Sequence, residues 1–251
     1  MVATGGKTGM SMFRWTVPLV AWALASVSVV GTSINAIAAE STVEIGGRTV
    51  RIWAPEGYCP LNPDDASESR ILDLVNRALA GTELLLYSAS CQELADWHGG
   101  KIDSLDHVVN IQVATELKSI DIPDHQRLAV IKQLCGVMRQ QASADVDWIS
   151  KDINQRIAEA NDVIKINELK FLGVIGEDDN GCYAAMIQKI ATEAGTVKAI
   201  TNVIASTVLA GRVVYVYHLG PSTGAEVLQQ LSNTISGHVK ALTAGNPTGS
   251  K

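Results

Sequence analysis

The chain has 251 residues, 47% of them hydrophobic, which is enough for one large core or two small ones and too apolar for a disordered polymer. Its formal charge of -6 argues against nucleic acid and anionic lipid as main partners, because both select clustered Lys and Arg. The first 38 residues hold Lys7 and Arg14 and no acid, so removing those two positive charges takes the formal -6 to -8 for the remainder.

Residues 1–39 read as a signal peptide. Lys7 and Arg14 precede the apolar stretch Val17 to Val30, and Ala36-Ile37-Ala38 supplies small residues at the spacing that signal peptidase prefers, with cleavage expected after Ala38 or Ala39. The competing expectation is an uncleaved membrane anchor, since Trp15 to Ala39 is long enough to cross a bilayer.

Beyond the leader, Val43 to Ile45 and Arg48 to Trp53 flank Gly46-Gly47 and predict a hairpin. Pro55, Gly57, Pro60 and Pro63 then interrupt regular structure. Asp64 or Asp65 caps a helix to about Ala80 with Ile71, Leu74, Val75 and Leu79 on one stripe. Leu84 to Tyr87 is a strand. Ser90 and Glu93 form a capping box for a short helix from Cys91 to His98, which Gly99-Gly100 stops. Val108 to Ala114 alternates as a strand. Pro123 opens a helix striped by Leu128, Ile131, Leu134, Cys135 and Met138, and a second helix from Val146 to Ala160 repeats Ile149, Ile153 and Ile157; the two are expected to form a hairpin.

The organising stretch is Val163 to Leu219. Four β-rich runs, Ile166 to Ile175, Cys182 to Ile190, Val197 to Leu209 and Val213 to Tyr217, are separated by Asp179-Asn180-Gly181, Glu193-Ala194-Gly195 and Ala210-Gly211. Asn180-Gly181 predicts a primed turn with positive φ, hence antiparallel pairing. The last run is apolar on both faces, so helices must cover both sides of its sheet. A final helix from Ala225 to Leu242 turns Val227, Leu228, Leu231, Ile235, Val239 and Leu242 inward. The order predicts an α+β fold, a curved antiparallel sheet with helices packed on both faces. Residues 40–243 are expected to form a single domain and 244–251 a flexible tail.

Four cysteines in an exported chain meet an oxidising compartment. Cys59 and Cys91 occupy loop edges and are the favoured bridge; Cys135 and Cys182 are either a second bridge or two buried thiols. Asp96, His98, Asp103, Asp106 and His107 gather imidazole and carboxylate groups that suit a metal, but their spacing matches no metal motif, and a solvated loop is the expectation. His125 belongs to a first helical turn, His218 ends a strand, and His238 lies toward the exposed side of the last helix. Glu177-Asp178-Asp179-Asn180 has calcium-type ligands, which the turn already explains. Ser88 and Ser90 are the candidate serine nucleophiles, but no Gly-x-Ser-x-Gly, Walker or His-Glu-x-x-His motif occurs. No residue set therefore qualifies as a catalytic, cofactor-binding or metal centre, and no cofactor is expected.

Ala54-Pro55-Glu56-Gly57-Tyr58-Cys59, together with Cys91-Gln92-Glu93-Leu94-Ala95-Asp96-Trp97 and the Leu172 to Tyr217 segment, resembles a group of short, uncharacterised exported proteins of Gram-negative bacteria. More remotely the pattern is similar to the PsbP-like architecture, whose members act largely as accessory or binding proteins. The resemblance implies an exported, non-catalytic binding or accessory protein of the cell envelope, periplasmic or secreted. Its partner would be another envelope protein or a small ligand, with the membrane touched only through an uncleaved leader. The alternative is an envelope hydrolase or metal-dependent enzyme using Asp96 to His107.

Overall fold

The computed structural model describes residues 40–79, 81–141, 147–159, 165–191, 196–221 and 224–247. The leader, Val146, Ala160, Val163, the Glu193-Ala194-Gly195 break and Gly249 lie outside the described residues, as does the side chain of Ile149. The first half of the chain forms β1 (Ser41–Ile45), β2 (Arg48–Ile52), β3 (Tyr58–Pro60), α1 (Ala66–Ala78), β4 (Thr82–Ser90), α2 (Cys91–His98) and β5 (Val108–Ala114). The second forms α3 (Arg127–Gln141), α4 (Asp147–Glu159), β6 (Lys165–Glu177), β7 (Gly181–Ala191), β8 (Val197–Leu209), β9 (Arg212–Pro221) and α5 (Ala225–Gly245).

β1 and β2 pair as a ribbon, and the remaining strands make one antiparallel sheet in the order β3-β4-β5-β9-β8-β7-β6. Two reversals are primed turns with positive φ at both central residues: Gly46 and Gly47 at 53° and 75°, Ala210 and Gly211 at 47° and 81°. The Asp179-Asn180-Gly181 reversal is built differently from the turn expected of it, for neither Asn180 nor Gly181 has a positive φ. Asp178 closes that loop instead, its Oδ1 accepting from the N–H groups of Asn180 at 2.7 Å and Gly181 at 3.0 Å. A carboxylate acceptor in an Asx turn substitutes for left-handed backbone. Bulges between Leu84 and Leu86 in β4, and between Ile166 and Glu168, Phe171 and Gly173, and Val174 and Gly176 in β6, bend the strands.

Side-chain alternation along the strands gives the sheet two covered faces. On one, Val203, Ala205 and Leu209 of β8 and Val214 and Val216 of β9 meet Leu231, Ile235, Val239 and Leu242 of α5, with Ile45, Val50 and Ile52 of the ribbon completing the cluster. Each of those four α5 side chains contributes roughly 1.5–3 kcal/mol by burial. On the other face Val208 and Val213 meet Ile131 and Cys135 of α3. Leu128, placed on the α3 stripe by its spacing, is 45% exposed. α3 and α4 are not the hairpin expected: among the described residues α3 packs chiefly on β6, β7 and β8, and α4 on β6 and α1.

Two buried polar residues lock the ribbon in place. Arg212 donates to the carbonyls of Ile45, Gly46, Gly211 and Ile120 and to Asp121 at 2.8–3.2 Å. Asn246 accepts from Arg51 N–H at 2.7 Å and donates to the Arg51 carbonyl at 2.7 Å, standing in for a neighbouring strand beside β2. Within the segment assigned to a tail, Asn246 is thus a buried anchor.

Candidate functional site

The face of the sheet opposite α5 is incompletely filled. Asp65 caps α1, its Oδ1 accepting from Ser67 and Glu68 N–H at 2.9 and 3.0 Å. The helix so started turns Ile71, Leu74 and Val75 toward the sheet, beside Ile153 and Ile157 of α4. Between these two helices and the strands lies a cavity of about 470 Å³. Its floor is supplied by Tyr87 of β4, Val108 of β5, Leu219 of β9, Ile200 of β8, Gln188 of β7 and Ile166 of β6. The α1 stripe was legible as apolar, but Ile71, Leu74 and Val75 remain half-buried because they face this space rather than packed neighbours.

Polar groups in the wall fall into two sets. At the rim, the Lys198 ammonium donates to Ser104 Oγ and lies 3.3 Å from both Asp106 carboxylate oxygens and 3.8 Å from Asp103. On the floor are the Tyr87 hydroxyl and the Gln188 amide, neither of which hydrogen-bonds to another described residue. Burial pushes the Tyr87 phenol up to about 12, so it remains a neutral donor.

The acidic and histidine cluster does not converge on one centre, and its irregular part, residues 99–107, is held to the body of the protein by hydrogen bonds. Asp96 accepts from Lys101 at 2.7 Å and Gln92 at 2.9 Å. His98 Nε2 lies 2.6 Å from Glu68 Oε1, and the other Glu68 oxygen accepts from Asn62 N–H at 2.6 Å, so a buried carboxylate is fully engaged. His107 Nδ1 pairs with Glu93 Oε1 at 2.5 Å, and Glu93 Oε2 accepts from the N–H groups of Asp106 and His107. Glu93 is therefore no capping box; it reaches across to the chain entering β5, and Ser90 makes no side-chain cap. Burial raises the Glu93 carboxyl, but these hydrogen bonds overcome it and hold the group below its usual range. The cluster is a set of separate pins that fix the 96–107 segment over the cavity rim.

Asp65, Glu68 and His98 bring one possible ligand atom each within 4.8 Å of one another, a grouping that crosses from α1 to α2 and has no sequence spacing to reveal it. Asp65 Oδ1 and Glu68 Oε2 already accept from backbone N–H groups, and hydrogen bonds from Glu68 and Ser67 N–H hold Asp65 below the usual carboxylate range. Ser88 Oγ is buried with no hydrogen-bond partner, and neither Ser88 nor Ser90 bonds an imidazole through its hydroxyl. Asp178 is spent on its own turn and on Tyr183, whose hydroxyl donates to it at 3.0 Å.

Two histidines were misplaced by sequence reasoning. His218 lies inside β9, fully buried, and His238 is buried on the inner side of α5 rather than its exposed side. His218 Nε2 is 3.0 Å from His238 Nδ1, and His238 Nε2 is 2.8 Å from the Trp53 carbonyl. The carbonyl only accepts, so His238 Nε2 carries the proton, its Nδ1 accepts, and His218 Nε2 donates. His218 Nδ1 is left as a buried acceptor without a partner.

Cys59 and Cys91 are bridged, with Cα atoms 4.9 Å apart, which fixes β3 to the start of α2. Cys135 and Cys182 are bridged as well, Cα atoms 5.4 Å apart, tying α3 to β7. No helix among the described residues is long and apolar enough to cross a membrane. The chain is thus an α+β protein with a seven-stranded antiparallel sheet covered by helices on both faces, two disulfides and an apolar cavity under α1 and α4. No family model and no curated protein matches it. Among solved structures it is similar to the solution structure of cyanobacterial PsbP (CyanoP) from Synechocystis sp. PCC 6803, with 12% sequence identity, 86% of this chain and 96% of that chain covered, and a TM-score of 0.34. A likeness of that degree carries no argument about function.

Proposed function

We propose that this chain is an exported, non-catalytic binding or accessory protein of the bacterial cell envelope, and that it holds one small apolar ligand between α1, α4 and the sheet. The observation that carries this reading is the cavity of about 470 Å³, a volume inside the range of small-molecule sites, with aliphatic walls and few polar groups. Protein interiors ordinarily close such voids, so a retained one points to an occupant. Support for export comes from the leader pattern and from two disulfides, which persist in oxidising compartments.

The test is titration of the processed protein with an apolar fluorescent probe such as N-phenyl-1-naphthylamine. Saturable binding is expected, and Leu74→Trp or Ile200→Trp, which fill the cavity, should abolish it. No binding, or equal binding by both filled variants, removes the reading. Mass spectrometry of the native protein should find a chain beginning at Ala39 or Glu40; a full-length mass in the membrane fraction would replace export and processing by anchoring.

The metal-dependent enzyme reading has one observation in its favour, the Asp65, Glu68 and His98 grouping. Dialysis against zinc followed by metal analysis decides it. A stoichiometric ion lost in His98→Ala would put that reading first.

A further inference from the structure

We infer that the ligand of this cavity is an uncharged, single-chain amphiphile, a hydrocarbon body bearing an oxygen function such as an ester, ketone or alcohol, and that Tyr87 donates a hydrogen bond to that oxygen. The inference rests on the reading of the cavity as a ligand site and narrows its occupant by shape, charge and hydrogen bonding.

Shape comes first. The floor residues Tyr87, Val108, Leu219, Ile200, Gln188 and Ile166 sit on six strands that are consecutive in the sheet, β4, β5, β9, β8, β7 and β6. Five inter-strand steps of about 4.8 Å make that floor roughly 24 Å long. A volume of about 470 Å³ along so long a floor makes an elongated space. An elongated space with aliphatic walls suits one extended hydrocarbon chain lying across the strands.

Charge comes next. The formally charged residues in the wall are Lys198, Asp103 and Asp106, all at the rim. The ammonium is already met by Ser104 and both carboxylates, and the three together carry one net negative charge. An anionic head would have to displace Asp106 from Lys198 or lie beside an uncompensated carboxylate. A cationic head would find chiefly Asp103, whose side chain is 92% exposed and therefore screened by water. Deeper in, no wall residue is charged, and an ion taken there would lose its hydration without repayment.

Hydrogen bonding completes the selection. A Tyr hydroxyl in an apolar wall ordinarily finds a partner. Here Tyr87 has none among the described residues, and Gln188, toward the other end of the floor, has none for its amide. A phenol held neutral by burial donates more strongly than it accepts, which calls for an oxygen acceptor on the ligand. A pure hydrocarbon would leave both groups unmet.

The experiment is displacement of the bound naphthylamine probe from the processed protein by molecules of one chain length that differ only at the head: fatty acid, its methyl ester, the alcohol, the alkylammonium and the alkane. The ester and the alcohol should displace the probe at lower concentrations than the acid or the ammonium, which bring a charge to an uncharged wall, and at concentrations about tenfold lower than the alkane, the ratio that one hydrogen bond of about 1.4 kcal/mol gives. Tyr87→Phe should erase most of the advantage of the ester over the alkane, scored as a ratio within each protein so that any change in probe affinity cancels. Stronger displacement by the acid, lost in Lys198→Gln, would show an anionic ligand and overturn the inference. Stronger displacement by the ammonium, or an ester preference that survives Tyr87→Phe, would overturn it too. In those cases the probe still binds and the cavity reading stands; failure of the probe to bind brings down both.

Discussion

The buried imidazole pair makes stability depend on pH in a calculable way. In the unfolded chain both histidines titrate near 6.5; in the fold, burial pushes His218 down to about 3, with His238 adding to the effect, and burial pushes His238 down to about 4 against the raising influence of the Trp53 carbonyl. Between those limits the unfolded state binds more protons than the native state, so stability is complete above about pH 7 and declines as pH falls through 6.5, levelling only below the folded values. At about pH 5 the deficit is about 1.5 pH units per histidine, or about 2 kcal/mol each and about 4 kcal/mol for the pair. Glu93, held below its usual range, loses its stabilising ionised form only at lower pH and does not contribute to this interval. The assay is guanidinium unfolding at about pH 7.5 and about pH 5, for the native protein and for His218→Leu with His238→Leu. The double variant strands the Trp53 carbonyl, at a cost of about 1–3 kcal/mol that is the same at both pH values. Its stability should therefore change far less between the two conditions than that of the native protein. An equal loss in both proteins would refute the reasoning, as would nuclear magnetic resonance titration placing either native imidazole near 6.5.

Three further outcomes are expected. Replacing Cys135 and Cys182 together by Ala should cost about 2–4 kcal/mol in denaturant unfolding, because the bridge closes a separation of 47 residues; an unchanged midpoint would deny it a stabilising role. His98→Ala should lower the melting temperature through a loss of about 1–3 kcal/mol, since it leaves the buried Glu68 carboxylate without its imidazole, and His98→Gln should recover part of the loss. Arg212→Met should cost more than about 2 kcal/mol by leaving the carbonyls of Ile45 and Gly46 unmet, and Arg212→Lys should not restore it, because an ammonium lacks the planar fork; equal melting of Arg212→Lys and native protein would contradict that geometry.

Local chemistry in the sequence was sufficient for the elements themselves. Paired turn residues at Gly46-Gly47 and Ala210-Gly211, the β-branched runs from Ile166 to Tyr217, the Asp65 cap and the inward stripe of α5 each act over a few residues, and the structure places them where those patterns point. What the chain order could not supply was any property set by residues far apart. β9 lies between β5 and β8, although more than 90 residues separate it from β5. His238 is buried because His218 and Trp53 meet it from other elements, and on its own helix it looked polar enough for solvent. The apolar stripes of α1 and α4 read as core, since a side chain facing a cavity and one facing a packed neighbour have the same composition and period. Only the tertiary arrangement, with those two helices packed on each other above a sheet wider than they cover, decides that the stripes line a space.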